Sequence, residues 1–69
     1  MKITEGLQNL GLTEKEARVY AALLETGQAS AYTVASKAGL KKPTAYVILG
    51  ELMQKGLVLN GTSPFLFVA

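Results

Sequence analysis

The segment from Ala31 to Val58 carries the pattern that most constrains the fold of this chain. It contains two stretches with helical spacing, and Gly39 separates them by a turn of only a few residues. Glycine ends helices readily because it adopts a left-handed backbone at no steric cost. Pro43 suits the first turn of the second stretch, where a missing amide hydrogen breaks no hydrogen bond. The pattern predicts a helix-turn-helix.

A first helix is predicted before this unit, over residues 14–26. Thr13 followed three residues later by Glu16 is the capping-box signature of a helix start, and Gly27 supplies the stop. Apolar residues then recur at positions i, i+3, i+4 and i+7, which places them on one side of the helix. This predicted buried face consists of Ala17, Tyr20, Ala21 and Leu24, flanked by Leu23.

The next two helices form the helix-turn-helix itself. Ser30 suits the N-cap of the second helix, which runs to Ala38, and Gln28 and Ala29 before it form at most a short bridging strand. The third helix is predicted over 42–55. At about 100° per residue, its core side consists of Ala45, Ile48, Leu49 and Leu52, and its outward side of Pro43, Tyr46, Val47, Gly50, Glu51 and Gln54.

The two ends of the chain complete a winged-helix order. A strand over 57–59, turn residues and a second strand over 65–68 predict a β-hairpin after the helices. Before them, Ile3, Leu7 and Leu10 have helical spacing in an arm that could cap the core or pair with a second subunit. We therefore expect a mainly α winged helix-turn-helix with three helices and a small C-terminal hairpin. Its single domain spans 1–69, with the arm at 1–12, the three-helix core at 13–56 and the wing at 57–69.

Composition excludes several classes of function. The 69 residues include no cysteine and no histidine, which excludes disulfides and thiolate or imidazole metal sites, so no catalytic, cofactor or metal site is expected. No apolar run approaches the roughly 20 residues that cross a bilayer, and the first residues lack a signal-peptide core. A cytoplasmic protein without a membrane partner is therefore expected. The apolar fraction of 49% leaves apolar surface that a partner would cover, which favours a homodimer.

Four motifs, spaced along the chain in order, resemble one known family. They are LGLTEKEARVYAALLETG at 10–27, VASKAG at 34–39, PTAY at 43–46 and LMQKGLV at 52–58. Together they are similar to the N-terminal DNA-binding domain of TrmB-type transcriptional regulators, which belong with the MarR-like winged helices. The resemblance covers 7–59.

The resemblance implies a winged helix that binds double-stranded promoter DNA. Helix 42–55 would then lie in the major groove, and a two-fold homodimer would read a roughly palindromic operator. Larger members of the family carry an effector-binding domain after the winged helix. None follows within these residues, so sugar sensing is not carried over, and the chain is either a small stand-alone regulator or a fragment of a longer one.

DNA contacts are expected mainly where the third helix begins. Lys41 and Lys42 stand at the positive end of the helix dipole, which favours phosphate contacts over the alternative of solvated turn lysines. Thr44 would either meet DNA or bond the helix start. The candidate DNA-binding residues are Lys41, Lys42, Thr44, Tyr46, Val47 and Gln54.

The rest of the outward face supports two interpretations. Tyr46 could bond a phosphate or pack against Met53, Val47 could touch a thymine methyl or a protein partner, and Gln54 could reach an adenine or a phosphate. In the resembled family the positions of Val47 and Gly50 more often carry long polar or basic residues. The turn of the wing also contains no lysine or arginine. The alternative function is therefore a protein-interaction module without strong DNA binding.

Overall fold

The computed structural model describes residues 3–69, which form four helices and three short strands. The helices are α1 (Ile3–Asn9), α2 (Glu14–Thr26), α3 (Ala31–Ala38) and α4 (Lys42–Gln54), and the strands are β1 (Gln28–Ser30), β2 (Leu59–Asn60) and β3 (Leu66–Val68). The mainly helical class with a C-terminal wing is confirmed. The helix count of three was too low, because the N-terminal arm forms a helix of its own. Within residues 3–69, no helix is long and apolar enough to span a membrane.

The N-terminal arm covers part of the helical core. Leu7 on α1 is half-buried against the core, and Leu12 in the turn before α2 is buried. Leu10 remains 80% exposed, and the side chain of Ile3 lies outside the described part. The arm thus performs the capping that its spacing predicted, whereas its pairing with a second subunit stays a prediction.

The start of α2 is as predicted, but its buried face is only partly so: Ala17 and Leu23 are buried, and Tyr20 packs against the core. Glu16 N–H donates to Thr13 Oγ at 3.1 Å, and Thr13 N–H donates to Glu16 Oε1 at 2.9 Å, which completes the capping box. The prediction of Leu24 as a core residue was wrong, since half of it is exposed. Apolar residues surround most of this helix, so periodicity alone allowed more than one face. The buried residues of α2 are Glu16, Ala17, Val19, Ala22 and Leu23.

The turn between α3 and α4 depends on Gly39. Its backbone is left-handed, with φ 69° and ψ 35°, and its N–H closes α3. A Cβ at this position would also lie 2.9 Å from a guanidinium nitrogen of Arg18 on α2. The left-handed backbone is what favours glycine here, since the flexible end of the Arg18 side chain can shift away from an added Cβ. At the other end of α3, Thr33 N–H donates to the hydroxyl of the N-cap Ser30 at 3.3 Å.

The core side of α4 is confirmed. Its buried residues are Ala45, Ile48, Leu49 and Leu52. Leu49 and Leu52 are fully buried beside Val19 and Leu23 of α2 and Val34 of α3. Burial of each such side chain stabilises the fold by about 1.5–3 kcal/mol, so α4 is held firmly by one face while its other face remains outside.

The wing forms a three-stranded antiparallel sheet with the order β1-β3-β2. The predicted strand over 57–59 was misplaced, because Val58 is fully buried in the core and the strand pairing begins at Leu59. The second strand begins at Leu66 rather than Phe65, which is 73% exposed. The bridging segment at Gln28 does form a strand, and its pairing with β3 makes β3 the central strand.

Candidate nucleic-acid interface

The N-terminal end of α4 is open and positively charged. Lys41 is the N-cap residue, and its side chain makes no capping hydrogen bond. Lys42 is the first residue of α4, and both lysines are exposed. The first amide groups of a helix lack acceptors within the helix, so they add partial positive charge to that of the two ammonium groups. This end is suited to hold phosphate oxygens.

Tyr46 lies one turn further along α4 and is fixed from two sides. Its ring meets the ring of Phe67 on β3 edge-on, with 6.5 Å between the centroids and an angle of 77°. Lys42 Nζ lies 5.9 Å from the centre of the Tyr46 ring, within the range of a cation–π interaction. The Tyr46 ring thus packs on the wing, whereas its packing against Met53 stays a prediction. The phenol ring thus links the start of α4 to the central strand.

The middle of the outward face of α4 carries Val47 and Gly50, neither of which has a polar side-chain atom. Val47 is 63% exposed, and Gly50, Glu51 and Gln54 are exposed as predicted. A Cβ at Gly50 would meet nothing within 4 Å, and its φ lies outside the positive range. Neither packing nor backbone conformation therefore requires glycine at this position, although glycine inside a helix costs about 0.5–1 kcal/mol relative to alanine.

The six predicted contact residues do not form one cluster. Lys41, Lys42 and Tyr46 lie together, with Val47 beside them on the outward face. Thr44 is half-buried, about 200° around the helix from Lys42. Gln54 lies at the far end of α4, about 18 Å along the axis from Lys42 at 1.5 Å per residue. The first four residues form the compact part of the candidate site, and the other two stand at its margins.

The C-terminal end of α4 is anchored to the start of α2. Lys55 Nζ donates to both carboxylate oxygens of Glu16, at 2.8 and 2.9 Å. Glu16 is only 3% exposed. The hydrogen bond from Lys55, followed by that from the Thr13 backbone, holds the pKa of Glu16 below its ordinary value, against the opposing effect of burial. Glu16 therefore has a second partner, 39 residues away in the chain, that the capping-box pattern does not reveal.

Charged side chains on α2 and α3 pair with one another. Arg18 lies 3.8 Å from Glu14, four residues earlier on α2, and Lys37 lies 3.7 Å from Glu25. Arg18, Glu25 and Lys37 line an open groove of about 350 Å³ between the two helices. No group of three potential metal-binding side chains occurs among residues 3–69. The charges in this groove are thus occupied in surface ion pairs.

The wing is held by a side chain that sequence reasoning did not single out. Gln28 Nε2 donates to Thr62 Oγ at 3.2 Å, and Thr62 N–H donates to Gln28 Oε1 at 3.1 Å. The polar–apolar–polar alternation from Gln28 to Ser30 marks Gln28 as a surface strand residue, but it does not identify its partner. These two hydrogen bonds form a clamp between Gln28 and Thr62, which lie 34 positions apart in the chain. The local sequence pattern carries no information about such a distant pair.

The family profile described as "Sugar-specific transcriptional regulator TrmB" matches residues 7–69, which is most of the chain. The chain belongs to the TrmB family. The membership predicted from the four motifs is therefore confirmed, and a family of transcriptional regulators agrees with the expectation that the chain is not an enzyme. The MarR-like grouping stays a prediction.

Two relatives of this TrmB-family domain extend well beyond it. It is 37% identical over 60 residues to the "Uncharacterized protein YrhO" of Bacillus subtilis (strain 168), across 84% of the chain and 22% of that protein. It is also similar in structure to TrmBL2, an archaeal chromatin protein described as showing a novel mode of DNA binding. That similarity has a TM-score of 0.86 and 28% identity, over 96% of the chain and 26% of TrmBL2. The chain thus spans about a quarter of these proteins.

Proposed function

We propose that this domain is the part of a transcriptional regulator that binds double-stranded DNA, with α4 in the major groove. The observation that carries the proposal is the similarity in fold to TrmBL2, a protein described as binding DNA, over 96% of the chain. Membership of a family of transcriptional regulators supports the same role. The domain would act in the cytoplasm, as the sequence led us to expect.

The start of α4 would anchor the domain on the phosphate backbone. Lys41 and Lys42 form no ion pair with any side chain that the structure describes, so their ammonium groups are available to phosphates. The Tyr46 hydroxyl is carried by a ring that Phe67 holds in place, so it would bond a phosphate with little loss of side-chain entropy. Thr44 would add a hydroxyl at the edge of this anchor.

The middle of α4 would read the groove by shape. Val47 would meet a thymine methyl group, since an aliphatic side chain cannot hydrogen-bond a base edge. Gly50 supports the same interface, because an exposed glycine that no internal contact requires leaves room for a partner to approach the backbone. Gln54, at the far end, would contact an adenine or a phosphate where the groove curves past the helix.

A homodimer would compensate for the small number of cations. Lys41 and Lys42 of each copy would make four phosphate contacts when two copies bind side by side. The N-terminal ends of the two α4 helices would then lie at half-sites about 34 Å apart. Exposed apolar side chains such as Leu10 and Phe65 provide surface that a second copy would cover.

A protein-interaction role is the second candidate, and one observation favours it. The outward face of α4 presents the 63% exposed Val47 beside Gly50, and the turn of the wing carries no cation. A Val47→Asp substitution that abolishes capture of a protein partner would favour this role, provided that Lys41→Glu and Lys42→Glu leave the regulatory activity of the protein unchanged. Loss of regulatory activity on charge reversal of the two lysines would favour the DNA-binding role.

The solution mass, measured with and without duplex DNA, tests the proposal. The chain has a mass of 7.3 kDa, so we expect twice that value for the free protein and a further shift by the mass of one duplex. Protein that elutes at the same mass with and without DNA, at low salt and micromolar concentration, would refute the DNA-binding role. A monomer that still binds DNA would refute only the dimer.

A further inference from the structure

We propose that Thr62 contacts a DNA phosphate through its hydroxyl and that Gln28 is the residue that positions it. The inference rests on the DNA-binding role proposed above and adds a neutral contact in the wing to the cationic contacts of α4. The hydrogen bonds between these two side chains carry it.

Gln28 spans the whole sheet to reach the turn of the wing. It lies on β1, whereas Thr62 lies in the turn beyond β2, and the central strand β3 runs between them. Both ends of the Gln28 amide are used, since its oxygen accepts from the Thr62 backbone at 3.1 Å and its nitrogen donates to the Thr62 hydroxyl at 3.2 Å. A Cβ at Gly61 would overlap the Gln28 amide, so glycine leaves the space for this clamp.

The clamp determines what the Thr62 hydroxyl can do. A backbone N–H can only donate, so the Gln28 oxygen must face Thr62 N and the Gln28 NH₂ must face Thr62 Oγ. An amide NH₂ cannot accept, so the Thr62 oxygen is the acceptor in that bond. Its own proton is then directed elsewhere, and Thr62 is exposed. The hydroxyl is therefore prepared as a donor to an acceptor outside the protein.

Further bonds hold the turn, and a strand pair connects it to the contact between Tyr46 and Phe67. Asn60 Nδ2 donates to the Pro64 carbonyl at 3.0 Å, and Gly61 N–H donates to the Leu66 carbonyl at 2.9 Å. Asn60 is the register partner of Phe67, the residue on which Tyr46 of α4 packs. The start of α4 and the turn of the wing are thus linked through one aromatic contact and one strand pair.

A phosphate oxygen is the acceptor that suits this donor best. Hydroxyl groups contact phosphates widely in protein–DNA complexes, and such contacts position the protein without reading sequence. Unlike a lysine, a neutral hydroxyl releases no condensed counterion when it binds. Thr62 should therefore contribute to affinity equally at every salt concentration, and this property distinguishes it from Lys41 and Lys42.

The test measures binding of the whole 69-residue chain to a mixed-sequence duplex of about 20 base pairs, two helical turns, across a salt series. We expect Thr62→Val to weaken binding about tenfold per contact, because hydrogen bonds to charged groups are among the stronger ones. The slope of log affinity against log salt should stay unchanged. Thr62→Ser keeps the hydroxyl and should bind like the wild type.

Gln28→Met tests the positioning role separately. Methionine keeps the length of the side chain but removes both hydrogen bonds, so we expect weaker binding with an unchanged salt slope. The Thr62→Val and Gln28→Met double variant should bind no more weakly than Thr62→Val alone, because Gln28 acts only through Thr62. Thermal unfolding of each variant provides the control for folding.

The outcomes separate this inference from the role on which it rests. Wild-type binding that depends on Lys42, with Thr62→Val binding as tightly as the wild type, would overturn the phosphate contact and leave the DNA-binding role intact. A Gln28→Met variant with full affinity would overturn the positioning role. A wild-type chain that binds no duplex at low salt would overturn both proposals.

Discussion

The two ends of α4 are built in opposite ways. At the C-terminal end, Lys55 reaches back to the buried Glu16 and joins α4 to α2. At the N-terminal end, the Lys41 side chain makes no capping bond, and Lys42 Nζ lies 5.9 Å from the centre of the Tyr46 ring. One end is closed by the fold, and the other is left available to a partner.

The two sides of the same helix repeat this division. Leu49 and Leu52 are fully buried on one side, whereas Val47 and Gly50 are exposed on the other. Stability and recognition are therefore carried by different residues of one helix, and substitutions should separate them.

The largest expected effect is on the buried side. Leu49→Ala should lower the free energy of unfolding by about 3 kcal/mol, because it removes a fully buried side chain and leaves a cavity. Val47→Ala, two residues earlier on the outward side, should change it by less than about 0.5 kcal/mol. Urea unfolding measures both values. Similar losses from the two substitutions would mean that the outward face also carries stability.

A smaller effect is expected at the closed end of α4. Glu16→Gln removes the charge that Lys55 neutralises but leaves an oxygen for the Thr13 backbone. Because the Lys55 side chain is 44% exposed and can return to water, we expect a loss of about 1.5 kcal/mol. The matched control is Glu14→Gln, whose partner Arg18 lies 3.8 Å away at the surface. An equal loss in both variants would contradict the stabilising role assigned to the Glu16–Lys55 ion pair.

The Glu16–Lys55 ion pair also makes the stability of the fold depend on pH. The pKa of Glu16 is lowered in the folded chain from 4.5, so the unfolded chain binds this proton more readily as the pH falls. The stabilisation from Glu16 is therefore complete above the unfolded pKa and is lost as the pH falls through the folded pKa. Unfolding measured from pH 7 downward should show this loss in the wild type. Glu16→Gln should lack that component of the acid dependence.

The smallest expected change in stability has the opposite sign. Gly50→Ala should raise the free energy of unfolding by about 0.5–1 kcal/mol, since alanine favours the helix and its Cβ would meet nothing. If Gly50 leaves room for DNA, the same variant should bind DNA more weakly, although it is more stable. Thermal unfolding and duplex binding measured on one preparation would test this. Stabilisation with unchanged affinity would show that Gly50 lies outside the interface.

Local signals explain which parts of the domain could be predicted from the sequence. The capping box at Thr13, the left-handed turn at Gly39 and the proline at the start of α4 depend on neighbouring residues, so their pattern is visible in the chain. The buried face of α2 was harder, because apolar residues surround most of that helix. The buried face also includes the charged Glu16, whose ion-pair partner Lys55 lies far away in the chain.

Contacts between distant residues account for what was missed. Glu16 meets Lys55 across 39 positions, and Gln28 meets Thr62 across 34. Each pair exists only once the helices and strands have packed. The candidate contacts on α4 could be named from helical spacing, whereas the grouping of Tyr46 with Phe67 depends on the position of the sheet.

The salt dependence of duplex binding tests the central claim most directly. With Lys41 and Lys42 on phosphates in each half of a dimer, the slope of log affinity against log salt should be about −4. Lys42→Ala should flatten it by about two units in a symmetric dimer, while Lys15→Ala, on the exposed surface of α2, should leave it unchanged. A flat slope for the wild type, or an equal slope for wild type and Lys42→Ala, would contradict the claim that the open end of α4 holds DNA.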